Sequence, residues 1–413
     1  MLSKDRDFRR FWAGHTVSAV GTQVTAVALP LTAAITLDTG AAGVSAIATA
    51  TYLPSAVLPL LAGHWLEGRR KRGVMVIADV LRALALAAVP IAWALDSLSL
   101  SLLVVVALVV GAASVVFDIA SFAYLPDFVA EEELPAANRA LQGSSTAAQV
   151  GGPGLSGLLV QLFGPAVALA VDAGSYVASA LGVAAARRPE ARPAVEGGPV
   201  AAVAGKAGLW EGVRQIKVSP FLRSLTAHAA LYNASAQILV VNLVIMAVKD
   251  RGLSAGGYGL ALSAGGIGAF VGAMLGLRLA KRLGYGRAFG ASLVLSTGLP
   301  LLLALLPGRG VLYGALLGAV QFGAGIGLGS ANVLSVTIRQ LLIPRSTLAR
   351  SNGAYRTFTY GVLPVGAALG GVLGATFGTT AAVAVGSIGI ALSALPMAAK
   401  EIRSLQTPVA TGA

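Results

Sequence analysis

The chain has 413 residues, 56% hydrophobic and 11% charged, with a mean hydropathy of +0.79, a net charge of +13 and a pI near 10.4. A soluble globular chain carries about 25% charged residues, so the polar surface needed to cover a water-facing body is missing and a soluble fold is excluded. With no cysteine and only three scattered histidines (His15, His64, His228), the sequence provides no disulfide, no thiolate metal site and no zinc site.

The remaining charges are clustered, with none between Arg139 and Asp172 or between Arg356 and Lys400. A run of about 18 apolar residues is enough to cross a bilayer as a helix. Hydropathy predicts twelve such helices, and hence an all-α membrane protein. The first, about 11–36, follows "MLSKDRDFRR" and is too long for the apolar core of a signal peptide, so it is read as an uncleaved first span. Segments at about 41–63 and 74–95 flank "GHWLEGRRKRG", where Arg69, Arg70, Lys71 and Arg72 stand together. In the third segment Asp79 and Arg82 are three residues apart, share a helix face and are read as a structural ion pair. The fourth, 98–120, carries Asp118 near its end. The fifth and sixth, 138–162 and 165–186, are nearly free of charge apart from Arg139 and Asp172.

A polar stretch, 187–220, follows. "RRPEARPAVEGGPVAAVAGKAG" has the composition of a linker, and "LWEGVRQIKVSPF" that of a short amphipathic helix lying at the interface. Six more segments come after it, at about 222–248, 254–278, 287–307, 310–338, 354–377 and 379–399. The predicted organisation is therefore a six-helix bundle over 1–186, a linker over 187–220 and a second six-helix bundle over 221–413.

Two patterns support that division. Taking alternate loops together with both termini collects 26 Lys and Arg on one side against three on the other, with Arg82 inside a segment. Cytoplasmic loops carry such an excess, which predicts that both termini and the linker are cytoplasmic. The high pI is then topology, and nucleic-acid binding is not expected. The halves also align without gaps at an offset of 214 residues. Asn138 and Asn352, Gly152 and Gly366, Leu155 and Leu369, Gly157 and Gly371, Phe163 and Phe377, and Gly164 and Gly378 coincide, as do the two "SAL" triplets at 179–181 and 393–395. A parallel 6+6 repeat points to a secondary transporter of two bundles.

"FRRFWAGHTVSAVGTQVTAVALPL", "FDIASFAYLPDFVAEEELPAANRALQGSSTAAQVGGPGLSGLLV", "EGVRQIKVSPFLRSL" and "YGLALSAGGIGAFVG" make nearly the whole chain resemble the major facilitator superfamily, in its drug:proton antiporter branch of the macrolide-efflux and enterobactin-exporter type. The resemblance implies the major facilitator fold, alternating access and proton-driven efflux from the inner membrane. "GHWLEGRRKRG" stands at the place of that superfamily's loop motif, with Gly63 at its glycine and Glu67 at its acid. Two residues depart from the pattern. Glu67 replaces the usual Asp, with Gly68 where Arg is common, and Thr22 stands where many relatives carry an Asp in the first helix.

The resemblance implies roles for several residues. Glu67 would face the start of helix 11, whose dipole favours an anion. Arg70 would pair with Asp118, giving a cytoplasmic latch of Gly63, Glu67, Arg70 and Asp118. Helices 1, 4, 7 and 10 would line the central cavity. Polar side chains are costly in lipid and turn inward, which offers His15, Ser18, Thr22, Thr25 and Thr32 on helix 1. Helix 7 offers His228, Tyr232, Asn233 and Gln237, and helix 10 offers Gln321, Asn332, Ser335 and Arg339. The glycine rows Gly268, Gly272, Gly276 and Gly366, Gly370, Gly374, Gly378 allow close helix approach. The resemblance places them where helix 8 meets helix 5 and helix 11 meets helix 2. With Thr22 lacking a carboxyl, Asp172, which has no basic neighbour in sequence, is the proton-coupling candidate.

No enzyme or cofactor motif survives its context. "GLSAG" (252–256) has no histidine after Ser254, and "GAGIGLGS" (323–330) lies in no βαβ unit. Asn233-Ala-Ser235 falls inside a helix, and the absence of G-x-x-x-x-G-K-[ST] excludes an ATP-driven pump in one chain. The expected protein is a monomeric exporter of hydrophobic or amphipathic small molecules, with protons and the lipid bilayer as its other partners and no cofactor or metal. Export of one endogenous metabolite such as a siderophore, import, and a transport-dead sensor fit the same scaffold.

Overall fold

In a computed structural model of the protein, the described residues are 5–66, 69–129, 133–186, 213–342 and 345–398. They are nearly all helical. The first half contains α1 (Arg6–Leu31, continued by a π-helical turn Thr32–Thr36), α2 (Ala41–Leu66), α3 (Lys71–Ala94), α4 (Leu100–Phe128), α5 (Leu134–Phe163) and α6 (Pro165–Ala184). The second contains α7 (Pro220–Ile245, with a π-helical turn Met246–Asp250), α8 (Ala255–Leu283), α9 (Tyr285–Gly298, running into a 3-10 turn Leu299–Leu305) and α10 (Gly310–Leu342). It continues with α11 in two pieces, Arg345–Tyr360 and Leu363–Phe377, and ends with α12 (Thr379–Leu392) and a 3-10 turn Leu395–Ala398.

Several helices outrun the hydropathy segments, because hydropathy marks what lies in hydrocarbon while backbone hydrogen bonding continues into the polar layer. α1 starts at Arg6, where Asp5 accepts from the amides of Asp7 and Phe8 at 3.0 and 3.3 Å. α8 runs on to Leu283 with Lys281 and Arg282 in its last turn, where cations complement the helix dipole. Among the described residues, eleven helices are long and apolar enough to cross a membrane. The twelfth, α5, has 30 residues, ample for a hydrocarbon core of about 30 Å at 1.5 Å per residue. Its stretch "RALQGSSTAAQ" lowers its hydropathy.

Large apolar side chains stand on the outer surfaces while several polar and charged ones are fully buried, the reverse of what water selects. Leu84, Leu181, Val294 and Phe377 are between 65% and 72% exposed, while Asp79, Asp172, Ser179 and Asn242 are wholly buried. Only lipid makes an apolar outer surface of this kind stable. The chain is an all-α, multi-pass membrane protein.

By contacts the chain divides into two compact units. One is Met1–Thr39 with Ala46–Ala202, and the other is Gly40–Ser45 with Val203–Ala413. The 214-residue repeat recurs in the backbone of both. The π-helical turns 32–36 and 246–250 coincide, and they close the same way: the amides of Thr39 and Leu253 donate to Ala33 O and Ala247 O at 3.0 and 2.9 Å. The joints between α5 and α6 and between α11 and α12 are Gly164 (φ 84°, ψ 161°) and Gly378 (φ 85°, ψ 160°). Side chains rarely adopt that conformation, which explains the paired glycines. The two cores also correspond. Met75, Phe117, Ala120 and Tyr124 in the first correspond by the repeat to Phe289, Ala331, Leu334 and Ile338 in the second. Large and small residues exchange places, so each core fills its own volume.

Candidate functional site

Inside the first unit, α1, α3, α4 and α6 enclose a polar cluster. On α6, Asp172, Ser175 and Tyr176 share a face at helical spacing, and Asp172 and Tyr176 are wholly buried. Ser175 Oγ donates to Asp172 Oδ1 at 2.7 Å, and Thr25 Oγ1 of α1 donates to Asp172 Oδ2. Both carboxylate oxygens are thus engaged. Gly21 makes room for this: a Cβ there would overlap Asp172 Oδ1 and Ser175 Oγ. Thr22 Oγ1 donates to Ser18 O at 2.8 Å, so at 2.9 Å the Tyr176 hydroxyl is the donor to Thr22.

From α3, Arg82 and Asp79 form a buried ion pair between Nη2 and Oδ1. The guanidinium is clamped between two rings, its Cζ 4.4 Å from the Phe117 centroid of α4 and 4.2 Å from that of Tyr176. Tyr176 is one helical turn from Asp172, so the stacked guanidinium stands beside that acid on α6. The tertiary fold therefore gives Asp172 the basic neighbour its sequence context lacks. Arg82 Nε is buried without a hydrogen-bond partner among the described residues, and the buried Ser179 hydroxyl lies beside Asp79.

In the helix 1 stripe Ser18, Thr25 and Thr32 are buried, and Thr22 and Thr25 are bonded to α6. Thr32 bonds Ala28 O at 2.7 Å. His15 stacks on Phe11, with centroids 6.3 Å apart, and its Nε2 lies 3.5 Å from Ser145 Oγ of α5. The open space against α1 is on another face, a groove of about 360 Å³ between α1 and α5 lined by Thr16, Val20, Ser144, Ala147, Gly151 and Leu155. Sequence reasoning missed it. The signal was the run of small and polar residues that lowers the hydropathy of α5.

In the second unit, His228 Nδ1 lies 2.8 Å from Ser393 O, and Asn233 Nδ2 donates to Thr359 O at 2.7 Å. Tyr232 is next to His228, the ring centroids 6.0 Å apart. Gln237 and Gln321 are half-buried, Ser335 is buried and Asn332 is exposed. Arg339 stacks on Tyr355 at 4.2 Å. Of the latch residues, Arg70 caps α3 and is exposed, and Asp118 is exposed on α4. Gly63 falls within α2, and Glu67 lies outside the described residues.

The glycine rows are packing surfaces: that of α11 touches Ala41 and Ser45 of α2 as well as α7, while that of α8 has another partner than the resemblance implies. A Cβ at Gly268 or Gly272 would overlap the backbone of Phe322 or Ile326, and one at Gly276 would lie 2.9 Å from Ser330 Oγ, all on α10. α10 answers with Gly325 and Gly329, whose Cβ atoms would overlap Gly265 O and Ala269 O. The row expected against α5 is therefore filled by α10, because "GAGIGLGS" supplies a matching row. Gly366, Gly370 and Gly374 meet Ala234, Ile238 and Asn242 of α7 in a four-residue register. On the neighbouring face, Ser45 Oγ of the segment Gly40–Ser45 donates to Ala367 O at 2.7 Å.

Twelve helices among the described residues, in two repeated units with apolar outer surfaces, have the architecture of a membrane transporter of the major facilitator type. The chain belongs to the transmembrane secretion effector family, whose profile matches residues 3–410. It is 29% identical over 220 residues to the multidrug efflux pump Tap of Mycolicibacterium fortuitum, a match covering 50% of this chain and 51% of Tap, so the chain aligns with about half the length of that relative. In fold it is similar to a bacterial homologue of the iron transporter ferroportin, with a TM-score of 0.76 and 17% identity over 97% of this chain and 99% of the other. It is also similar to the nucleoside transporter NupG, with a TM-score of 0.70 and 15% identity over 95% of this chain and 98% of the other.

Proposed function

We propose that this transporter is a proton-driven exporter of hydrophobic or amphipathic small molecules in the cell membrane, with both termini and the 187–220 linker cytoplasmic. The bundles 1–186 and 221–413 alternate access around the cargo. The observation that carries the proton half is Asp172, a wholly buried carboxyl whose oxygens are held by Thr25 of α1 and Ser175 of α6. A carboxyl held at that depth is a functional group by default, because lipid-embedded acids are costly to the fold. Gaining and losing a proton there changes the bond that ties α1 to α6, and a changed helix contact is what an alternating bundle needs. Likeness to Tap supports the cargo half.

A susceptibility panel in an efflux-deficient host expressing the chain identifies a cargo. Asp172→Asn is then measured in everted vesicles for cargo-induced proton flux. The expected result is loss of that flux. A mutant that still moves protons with cargo at the wild-type ratio refutes the role of Asp172.

A further inference from the structure

The 214-residue repeat supplies an internal control for the buried cluster. Asp79, Arg82, Asp172, Tyr176 and Thr25 of the first unit correspond to Leu293, Ser296, Gly386, Ile390 and Leu239 of the second. The register is fixed by structure on both elements concerned, since α3 and α9 start at Lys71 and Tyr285, and α6 and α12 at Pro165 and Thr379. Leu239, Leu293 and Ile390 are buried apolar residues in the second unit. The same architecture therefore closes around hydrocarbon at these positions and has no need of charge there. Bundle packing does not explain the three buried charges of the first unit, which the uncharged Leu293, Ser296 and Gly386 replace in the second.

Those charges do not balance. The titratable and charged groups turned to the cluster are Asp79 and Arg82 from α3, Asp172 and Tyr176 from α6, and His15 from α1. α4 contributes the Ser114 hydroxyl, 3.5 Å from Arg82 Nη1, and the Phe117 ring. The Tyr176 hydroxyl is a hydrogen-bond donor to Thr22 and carries no charge. His15 is stacked on Phe11 with its Nε2 3.5 Å from Ser145 Oγ of α5, and is bonded to neither acid. Two carboxyls thus face one guanidinium. Arg82 pairs with Asp79 and stacks on Tyr176, one helical turn from Asp172, so the same cation acts on both acids, and rings on two sides hold it in place. Only one acid is paired with it directly. A bundle interior tolerates an ion pair far better than an unpaired charge, and one proton on either carboxyl makes the cluster neutral.

We propose that Asp79, Arg82 and Asp172 act as one proton-binding unit whose two carboxyls share a single proton at neutral pH, with Arg82 setting that number. The unit rests on the proposed proton-driven export only for the use made of the proton. Its occupancy is a property of the resting protein and needs no cargo. In this arrangement Asp79 is half of the proton site and not solely a structural partner. The proton moves between the two acids as Arg82 shifts its pairing from one to the other.

The test is infrared spectroscopy of the purified full chain in phospholipid nanodiscs at pH 7, reading the protonated-carboxyl C=O band and its shift in D2O. The wild type is expected to show one carboxyl equivalent. Asp172→Asn and Asp79→Asn each leave one acid facing one cation, so each is expected to lose the band. Arg82→Gln leaves two acids and no cation, with a twofold gain expected, while Arg82→Lys keeps the single equivalent. A full-strength band in Asp79→Asn overturns the proposal by assigning the proton to Asp172 alone, and a wild type without the band overturns it outright. If Arg82→Gln does not fold, the two Asn variants decide. Failure of the export reading would appear in the vesicle flux and leave the band untouched, so the two readings fail separately.

Discussion

Gly272→Ala adds one methyl where α8 crosses α10, and the structure gives its cost. The new Cβ would overlap Ile326 O and lie 2.7 Å from Ile326 C and 2.9 Å from Ile326 Cα. All three are backbone atoms, so no rotamer change relieves the contact. α10 cannot retreat locally either, because Gly325 and Gly329 hold it against Gly265 and Ala269 of α8 at the same crossing. Overpacking of a core costs about 1–3 kcal/mol, and two rigid backbones place this case at the upper end. Ala gains about 1 kcal/mol over Gly in a helix interior, leaving a net loss of about 2 kcal/mol. For a unit of about 200 residues this corresponds to roughly 4–8 °C in unfolding midpoint. The assay is circular dichroism of the purified protein in detergent, with all variants heated at one rate because membrane-protein unfolding is scan-dependent. Gly290→Ala in α9 is the control, since its Cβ meets nothing within 4 Å, and its midpoint is expected to hold or rise. A Gly272→Ala midpoint equal to or above wild type refutes the reasoning. Because the row packs within one unit, Gly272→Leu is expected to lose folded protein rather than to stall the cycle of an intact one.

Three further outcomes are expected. Charge reversal at Asp118 impairs transport and a compensating reversal at Arg70 partly restores it, if the two belong to one cytoplasmic latch; no rescue in the double mutant counts against the pairing. Reporter fusions at Ala413 and within 187–220 report a cytoplasmic location, and an external C-terminus overturns the twelve-span topology. Gly164→Ala and Gly378→Ala each cost of order 1–3 kcal/mol, because both glycines hold the same left-side φ near 85°; a large difference between their unfolding midpoints would mean the joints are not equivalent.

Much of this molecule is legible without coordinates, for identifiable reasons. Burying backbone in lipid forces helices, and lipid selects apolar runs, so composition alone establishes an all-α membrane protein with helices near their observed places. Positive charges mark the predicted topology. The gapless 214-residue match between "SAL" triplets and glycine pairs reveals a repeat that the backbone repeats down to its π-helical turns. Hydropathy is blind to helix ends beyond the hydrocarbon, which explains the extra turns of α1, α4, α5 and α8. It also undervalues α5, whose small and polar residues serve a groove and not lipid.

What a polar side chain faces is the part sequence leaves open, since periodicity assigns residues to a helix face without naming the neighbouring helix. Thr22 and Thr25 share a face with Ser18 in any helix 1, but only the placement of α6 decides that the face meets Asp172 and Tyr176 and not open space. Arg82 is 90 residues from Asp172 in the chain, and the crossing of α3 with α6 brings one cation within reach of two acids. The Gly268 row is recognisable as a close-approach surface from its four-residue spacing, whereas its partner depends on a second row, Gly325 and Gly329, being turned toward it. Lipid fixes each helix from its own residues, and the pairings inside each unit are fixed by volumes and charges that only meet once those helices pack.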